Sequence, residues 1–416
     1  MPLRAATERP PPGLPARLAI VGVLLALTNA VLPVMLTGDL PEDALLPDTA
    51  RAILARAWLP VYAAILLLLA RHPTASLGGL LRQRLLLALP LLAMLSALWS
   101  LDPATSLRRG LLLGLSTLLG VHLGQALPPA GLLRLLAWAL GIALLLSLAF
   151  AVAAPAWGIM GFTHEGEWRG IWVHKNLLAA YATLDLLAAG ILLGAVRRGR
   201  WLLRASLLLA AGLLVMSGAK TPIFVVLCLA GLLQLAWLRR RQPLLVLPAL
   251  ALLLLAAVLV YANADLLLEL VGRDATLSSR TPLWAGLWGL IGERWLLGYG
   301  FEAFWTTQSG PVAGLWESIG WQPPNAHNGL LDLWIGLGLA GVLLFAGTIA
   351  VALATAARRL PRMGRLQAYW LVGFLGFFLL FGLDEMNFVQ TNSLCWVLWV
   401  ATLTQLRAAT APAARA

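Results

Sequence analysis

Apolar runs of about 20 residues recur along almost the whole chain, each long enough to cross a hydrocarbon core about 30 Å thick. Lipid gives a backbone no hydrogen-bonding partner, so each run has to close its own bonds as a helix. The runs are continuous rather than alternating, which argues against a β-barrel. Composition agrees: 60% of residues are hydrophobic and 12% charged, against about 25% charged in a soluble domain. The chain is predicted to be an all-α polytopic membrane protein, with residues 1–416 forming a single transmembrane domain.

Twelve spans are predicted, at roughly 18–36, 57–70, 85–99, 110–127, 135–154, 177–196, 205–216, 223–238, 243–262, 329–350, 367–383 and 392–406. The first is read as a retained span rather than a signal peptide, because no small-x-small cleavage site follows it. Cys228 and Cys395 both fall inside apolar runs and are read as packing residues. Twelve spans put both termini on one side. Alternating the loops gives that side twenty of the 30 Lys and Arg residues. The positive-inside bias then sets the termini in the cytoplasm. The net charge of +12 is thus explained by topology rather than by nucleic acid.

The long polar interval 263–328 then faces outward and ends in Asn325-Ala326-His327-Asn328. Arg108-Arg109, His174-Lys175-Asn176, Lys220-Thr221-Pro222 and His327-Asn328 each precede a helix entering from that side. Lys220-Thr221-Pro222 and Arg280-Thr281-Pro282 share one pattern, read as a cation, an N-cap threonine and a proline at the first helical position. A cation beside free helix N–H groups suits an anion, and a guanidinium fork matches phosphate oxygens. An outer helix is predicted over 282–294, with Trp284, Leu287, Trp288 and Ile291 on one side. The alternative for these cations is snorkelling, or pairing with outer acids such as Asp274 and Glu293.

Of five histidines, His72 and His122 are read as structural, and His164, His174 and His327 lie outside. An imidazole with pKa about 6.5 can take a proton from a hydroxyl near neutral pH. No HxxH or HExxH spacing supports a metal site. Glu165 and Glu167 are the candidates for a carboxylate pair, on spacing alone. Asp332 sits one helical turn after Asn328, where it either orients Asn328 or lines a polar cavity.

At these residues the chain resembles the O-antigen ligases (WaaL). His327-Asn328, nine residues, then Gly338-Leu339-Ala340-Gly341 matches their H-[NSQ]-x9-G-x-x-G motif. Arg273-Asp274-Ala275-Thr276-Leu277 matches their R-x3-L motif. Gly170-Ile171-Trp172-Val173-His174-Lys175-Asn176 is similar to the G-x-x-x-H-K-N signature of the wider Wzy-C type ligase and polymerase superfamily, as is Trp99-Ser100-Leu101-Asp102-Pro103. The resemblance implies a GT-C-like, metal-independent glycosyltransferase of the bacterial inner membrane, without a cofactor and with a periplasmic active site. Its donor would be a glycan on undecaprenyl diphosphate. The acceptor would be lipid A-core for a ligase, or a second lipid-linked glycan for a polymerase. His327 would be the base and Arg280 and Arg273 would hold the diphosphate. Lys220, Arg169, His174, Lys175, Asn176 and Asn328 complete the expected binding set. Lys220 stands where some ligases carry arginine, which keeps the charge and loses the fork. The competing class is a lipid or polysaccharide transporter, which would place charges at mid-membrane; only Asp185 and Asp332 fall within spans.

Overall fold

The protein is described by a computed structural model that covers residues 12–38, 47–161, 164–242, 280–307, 309–384 and 388–408. The predicted span 243–262 and Arg273 of the R-x3-L motif lie outside the described residues. The helices are α1 (Leu14–Ala26), α2 (Leu32–Thr37), α3 (Asp48–Ala70), α4 (Pro73–Leu81), α5 (Arg84–Leu95), α6 (Pro103–Ala126), α7 (Pro129–Ala153), α8 (Pro155–Gly158), α9 (Lys175–Ala195), α10 (Arg200–Met216) and α11 (Lys220–Arg241). After the interval come α12 (Arg280–Glu293), α13 (Pro311–Ile319), α14 (Gly329–Arg359), α15 (Arg365–Asp384) and α16 (Leu394–Ala408).

Each predicted span within the described residues coincides with helix. Six of these helices are long and apolar enough to cross a membrane: α3, α7, α9, α11, α14 and α15. A seventh is obtained if α4 and α5, bent by 93° to one another, form one span. The others are shorter, or more polar. The first predicted span is two helices, because the chain turns through Asn29 and Val31, both at positive φ.

Packing follows from small residues and aromatic rings. On α6, Gly120 lies against Val397 and Val400 of α16, and Gly124 against Ala401 and Thr404. On α15, Trp370, Phe374 and Phe378 recur one turn apart and share a face. Phe378 stacks on Trp399 of α16 at 5.0 Å and meets Phe345 of α14 edge-on at 6.1 Å. Such pairs each add about 0.5–1.5 kcal/mol to plain burial. Cys395 is buried and Cys228 half-buried; both are free thiols.

A second apolar cluster joins α12 and α13 to the first turns of α14 through Leu283, Leu287, Ile291, Leu315, Leu331 and Ile335. The buried stripe of α12 is therefore Leu283, Leu287 and Ile291, one turn apart. Trp288, expected on that stripe, is 51% exposed. The threonine caps also differ from expectation. The helices begin at Lys220 and Arg280 themselves, so Thr221 and Thr281 are already helical.

The Gly-x-x-Gly half of the histidine motif marks a break. Gly338 sits at φ 65° and ψ −170° inside α14. The segment after α12 docks in the gap. Tyr299 and Gly300 donate to the carbonyls of Ile335 and Gly336, and Leu339 and Ala340 donate to those of Trp295 and Leu296. Backbone groups that the break would orphan are thereby paired. A Cβ at Gly338 would overlap the Leu296 carbonyl. Gly338→Ala is expected to cost about 2 kcal/mol or more through a left-handed backbone and this overlap. Thermal unfolding in detergent would measure it. Gly364→Ala, in open space, should change little; equal melting shifts for both would refute the account of the break.

Candidate functional site

The site is built on the mouth of α14. Asn328 caps the helix, its side-chain oxygen accepting from the N–H groups of Leu330 (3.0 Å) and Leu331 (3.2 Å). Its amide nitrogen donates to the Leu383 carbonyl at 3.2 Å, joining α14 to the end of α15. His327 precedes it at φ 48°, a left-handed conformation that a non-glycine residue adopts only when its surroundings hold it there. The holding contacts are visible. His327 donates its backbone N–H to Asn325 Oδ1 at 2.8 Å. The indole of Trp321 stacks on the imidazole, with ring centres 6.1 Å apart.

Asp332 reaches back rather than toward Asn328. Its Oδ1 accepts from the Ala326 N–H (3.0 Å) and from Trp305 Nε1 (2.8 Å). From the other side Trp284 Nε1 donates to the Ala326 carbonyl at 2.9 Å. Asp332 thus fixes the loop that carries the histidine. Arg280 lies one turn before Trp284 on α12, on the same helical side. The floor of the loop is tied down in turn. Tyr299 donates its hydroxyl toward Leu290 O and Glu293 Oε2, each at 3.0 Å, and burial, then Glu293, pushes its pKa up to about 12.

The Trp-Ser-Leu-Asp-Pro motif supports the same loop from below. Asp102 caps α6 by accepting from Thr105 N–H at 3.0 Å. Hydrogen bonds from Thr105 hold its carboxyl below the usual range. Ser96 Oγ accepts from Phe301 N–H and Ser106 Oγ donates to the Phe301 carbonyl.

The expected residues around α9 form a second cluster. His174 caps α9, with Nδ1 accepting from Asn176 N–H at 3.1 Å. Lys175 is 7% exposed and pairs with Glu167. Glu167 also meets His164 Nδ1 at 3.2 Å, and His164 packs edge-on against His174. Gly218, at φ 62°, lies directly against the Glu167 carboxylate; two residues on, exposed Lys220 begins α11. Glu167 is therefore engaged by Lys175 and His164, while Glu165 is exposed, so the two do not present a catalytic carboxylate pair. Arg169 is 5% exposed, and its guanidinium donates to the carbonyls of Trp157, Ala156 and Gly38. That makes it a framework residue, where substrate contact was expected. His122 likewise bonds Ser76 at 3.1 Å within the bundle. Among the described residues no group of three or more His, Cys, Asp and Glu side chains is placed to hold a metal.

Fold and site together define a polytopic helical membrane protein with a strained histidine at one helix mouth and cations at others. Residues 205–346 match the family described as O-Antigen ligase, a stretch that includes Lys220, Arg273, Arg280, His327 and Gly338. The resemblance read from the motifs is thereby borne out. The chain is also 28% identical over 291 residues to the exopolysaccharide production protein ExoQ of Rhizobium meliloti (strain 1021). That alignment takes in 66% of this chain and 65% of the relative's length.

Proposed function

We propose that this protein moves a glycan from undecaprenyl diphosphate to an acceptor hydroxyl at the outer face of the inner membrane, as an O-antigen ligase acting on lipid A-core. The observation that carries the reading is His327, held in a left-handed backbone between Asn325 and Trp321 at the capped mouth of α14. His327 takes the hydroxyl proton as the oxygen attacks the anomeric carbon. The bond from that carbon to the diphosphate breaks, and undecaprenyl diphosphate leaves. Arg280, Arg273 and Lys220 hold the diphosphate. Asn328, Arg169, His174, Lys175 and Asn176 act from behind, by shaping the loops. The match to a protein named for exopolysaccharide production supports a second reading, a polymerase that extends a lipid-linked glycan. Purified protein given the lipid-linked donor together with lipid A-core would separate them. A capped lipid product supports the ligase and a ladder of repeats the polymerase. No product of either kind would refute both.

The proposed topology has twelve spans, cytoplasmic termini and the 263–328 interval in the periplasm, in a GT-C-like fold. In a Cys228→Ser/Cys395→Ala background, Ser309→Cys is expected to react with an impermeant thiol reagent in intact spheroplasts, and Gly364→Cys only after lysis. The reverse pattern would overturn the sidedness.

A further inference from the structure

Arg109, on α6, pairs with Glu302, and its guanidinium is engaged very differently from that of Arg169. Where Arg169 meets three carbonyls, the guanidinium of Arg109 makes, among the described residues, one long contact, Nη1 to Glu302 Oε2 at 3.4 Å. Its Nε is buried with no acceptor, while the side chain as a whole is 34% exposed. A half-buried guanidinium with idle N–H groups needs an explanation. Next to it Arg108 is exposed, and among the described residues it has no hydrogen bond or ion pair. Tyr62 of α3 is tied to the same cluster through Asn392, the neighbour of Thr391: its oxygen accepts from Asn392 Nδ2 at 2.7 Å, which leaves the hydroxyl hydrogen to be donated.

The cluster is locked in place. Glu302 Oε1 accepts from Thr391 N–H at 2.7 Å, and Thr391 Oγ1 donates to the Arg109 carbonyl at 3.3 Å. Glu302 and Asn392 both hold positive φ, 51° and 56°, as His327 does. Glu302 lies three residues before Trp305, which bonds Asp332 of the histidine loop. Glu302 is the carboxylate that contacts Arg109, while Asp102, the other acid near Arg108, is committed to capping α6 through Thr105 N–H.

We propose that Arg108, Arg109 and Tyr62 form a second anion subsite, separate from the Arg280 and Lys220 side, which takes a phosphate group on the acceptor lipid. Naming the acceptor rests on the glycan-transfer reading; the phosphate binding itself does not. Two guanidinium groups and a phenol O–H match the oxygens of a phosphate monoester.

The test uses the full chain in neutral maltoside detergent, in an Arg280→Gln/Lys220→Gln background that removes the first anion site. Dihexanoyl phosphatidic acid, inorganic phosphate and, as control, dihexanoyl phosphatidylcholine are titrated calorimetrically. Phosphatidic acid is expected to bind, the control not, and Arg109→Gln or Arg108→Gln to weaken binding about tenfold or more, with Arg109→Lys partly restoring it. Glu302→Gln keeps the bond to Thr391, removes the opposing charge and should tighten binding. If it weakens binding as Arg109→Gln does, the cluster is structural and the proposal fails. Binding unchanged within twofold in both arginine variants, on monodisperse protein, also overturns it. Inorganic phosphate binding as tightly as the lipid would deny the assignment to a lipid headgroup. If phosphatidic acid binds as expected but no donor and acceptor are turned over, the subsite stands and the glycan-transfer reading falls.

Discussion

His327→Asn is expected to lower glycan transfer by about 10²- to 10⁴-fold, the contribution of a positioned general base. Asparagine is the informative replacement because the position lies at φ 48°, a region asparagine tolerates and alanine does not. An alanine variant would mix lost chemistry with a disturbed loop. Donor binding should change little in His327→Asn, since the diphosphate is held by other residues. Arg280→Ala should weaken donor binding and slow transfer together, and Arg280→Lys should recover only part, because a point charge replaces a fork. Transfer rates and lipid-donor binding would be measured on protein that elutes as a single species. Normal transfer by His327→Asn would end the assignment of the base. Loss of donor binding in His327→Asn, with Arg280→Ala unaffected, would reverse the two roles.

Glu167→Ala is expected to destabilise the loop before α9 by about 2–3 kcal/mol. The variant leaves Lys175 buried without its carboxylate, and removing one partner of a buried pair costs about 3–5 kcal/mol, reduced here because Glu167 is partly exposed. The same change frees the Gly218 turn that leads into Lys220, so donor binding should fall as well. Replacing both partners, as Glu167→Leu with Lys175→Met, should restore much of the melting temperature. Equal instability of the single and double variants would show that the ion pair is not what holds the loop.

How far the sequence disclosed this arrangement depends on the range of the forces involved. Helix positions were legible from apolar runs, because burial in lipid acts locally and demands length. The placement of His327 at a helix mouth was legible for the same reason; the capping role of Asn328 came only with the structure. The break at Gly338 was not, since the apolar run continues through it and only the docked segment 295–300 makes a left-handed residue necessary. Nor could the sequence say which arginines are free. Arg169 is engaged partly by a carbonyl 131 residues away, and Arg109 is left largely idle by the position of Glu302. Asp332 went the same way. Its helical register with Asn328 was correct, but the backbone N–H of Ala326 and the indole of Trp305 claimed its oxygen first. The helices start at Lys220 and Arg280, two residues before the expected first helical prolines, a shift that local propensity does not resolve.

The interruption in α14 also bears on depth. From Leu339 to Arg359 the helix runs about 30 Å at 1.5 Å per residue, the thickness of a hydrocarbon core. The first half, from Gly329 to the break, adds roughly 15 Å more and carries Trp334, whose ring meets Trp288 edge-on; tryptophan is a residue enriched at membrane–water boundaries. The half after Gly338 alone is long enough for a crossing; in the proposed topology the half before it would stand outside the hydrocarbon and carry the histidine. The 295–300 segment bonds Ile335 and Gly336 before the break and Leu339 and Ala340 after it, so it would hold the two halves at one angle and keep the imidazole at a fixed offset from the crossing helix however that helix tilts.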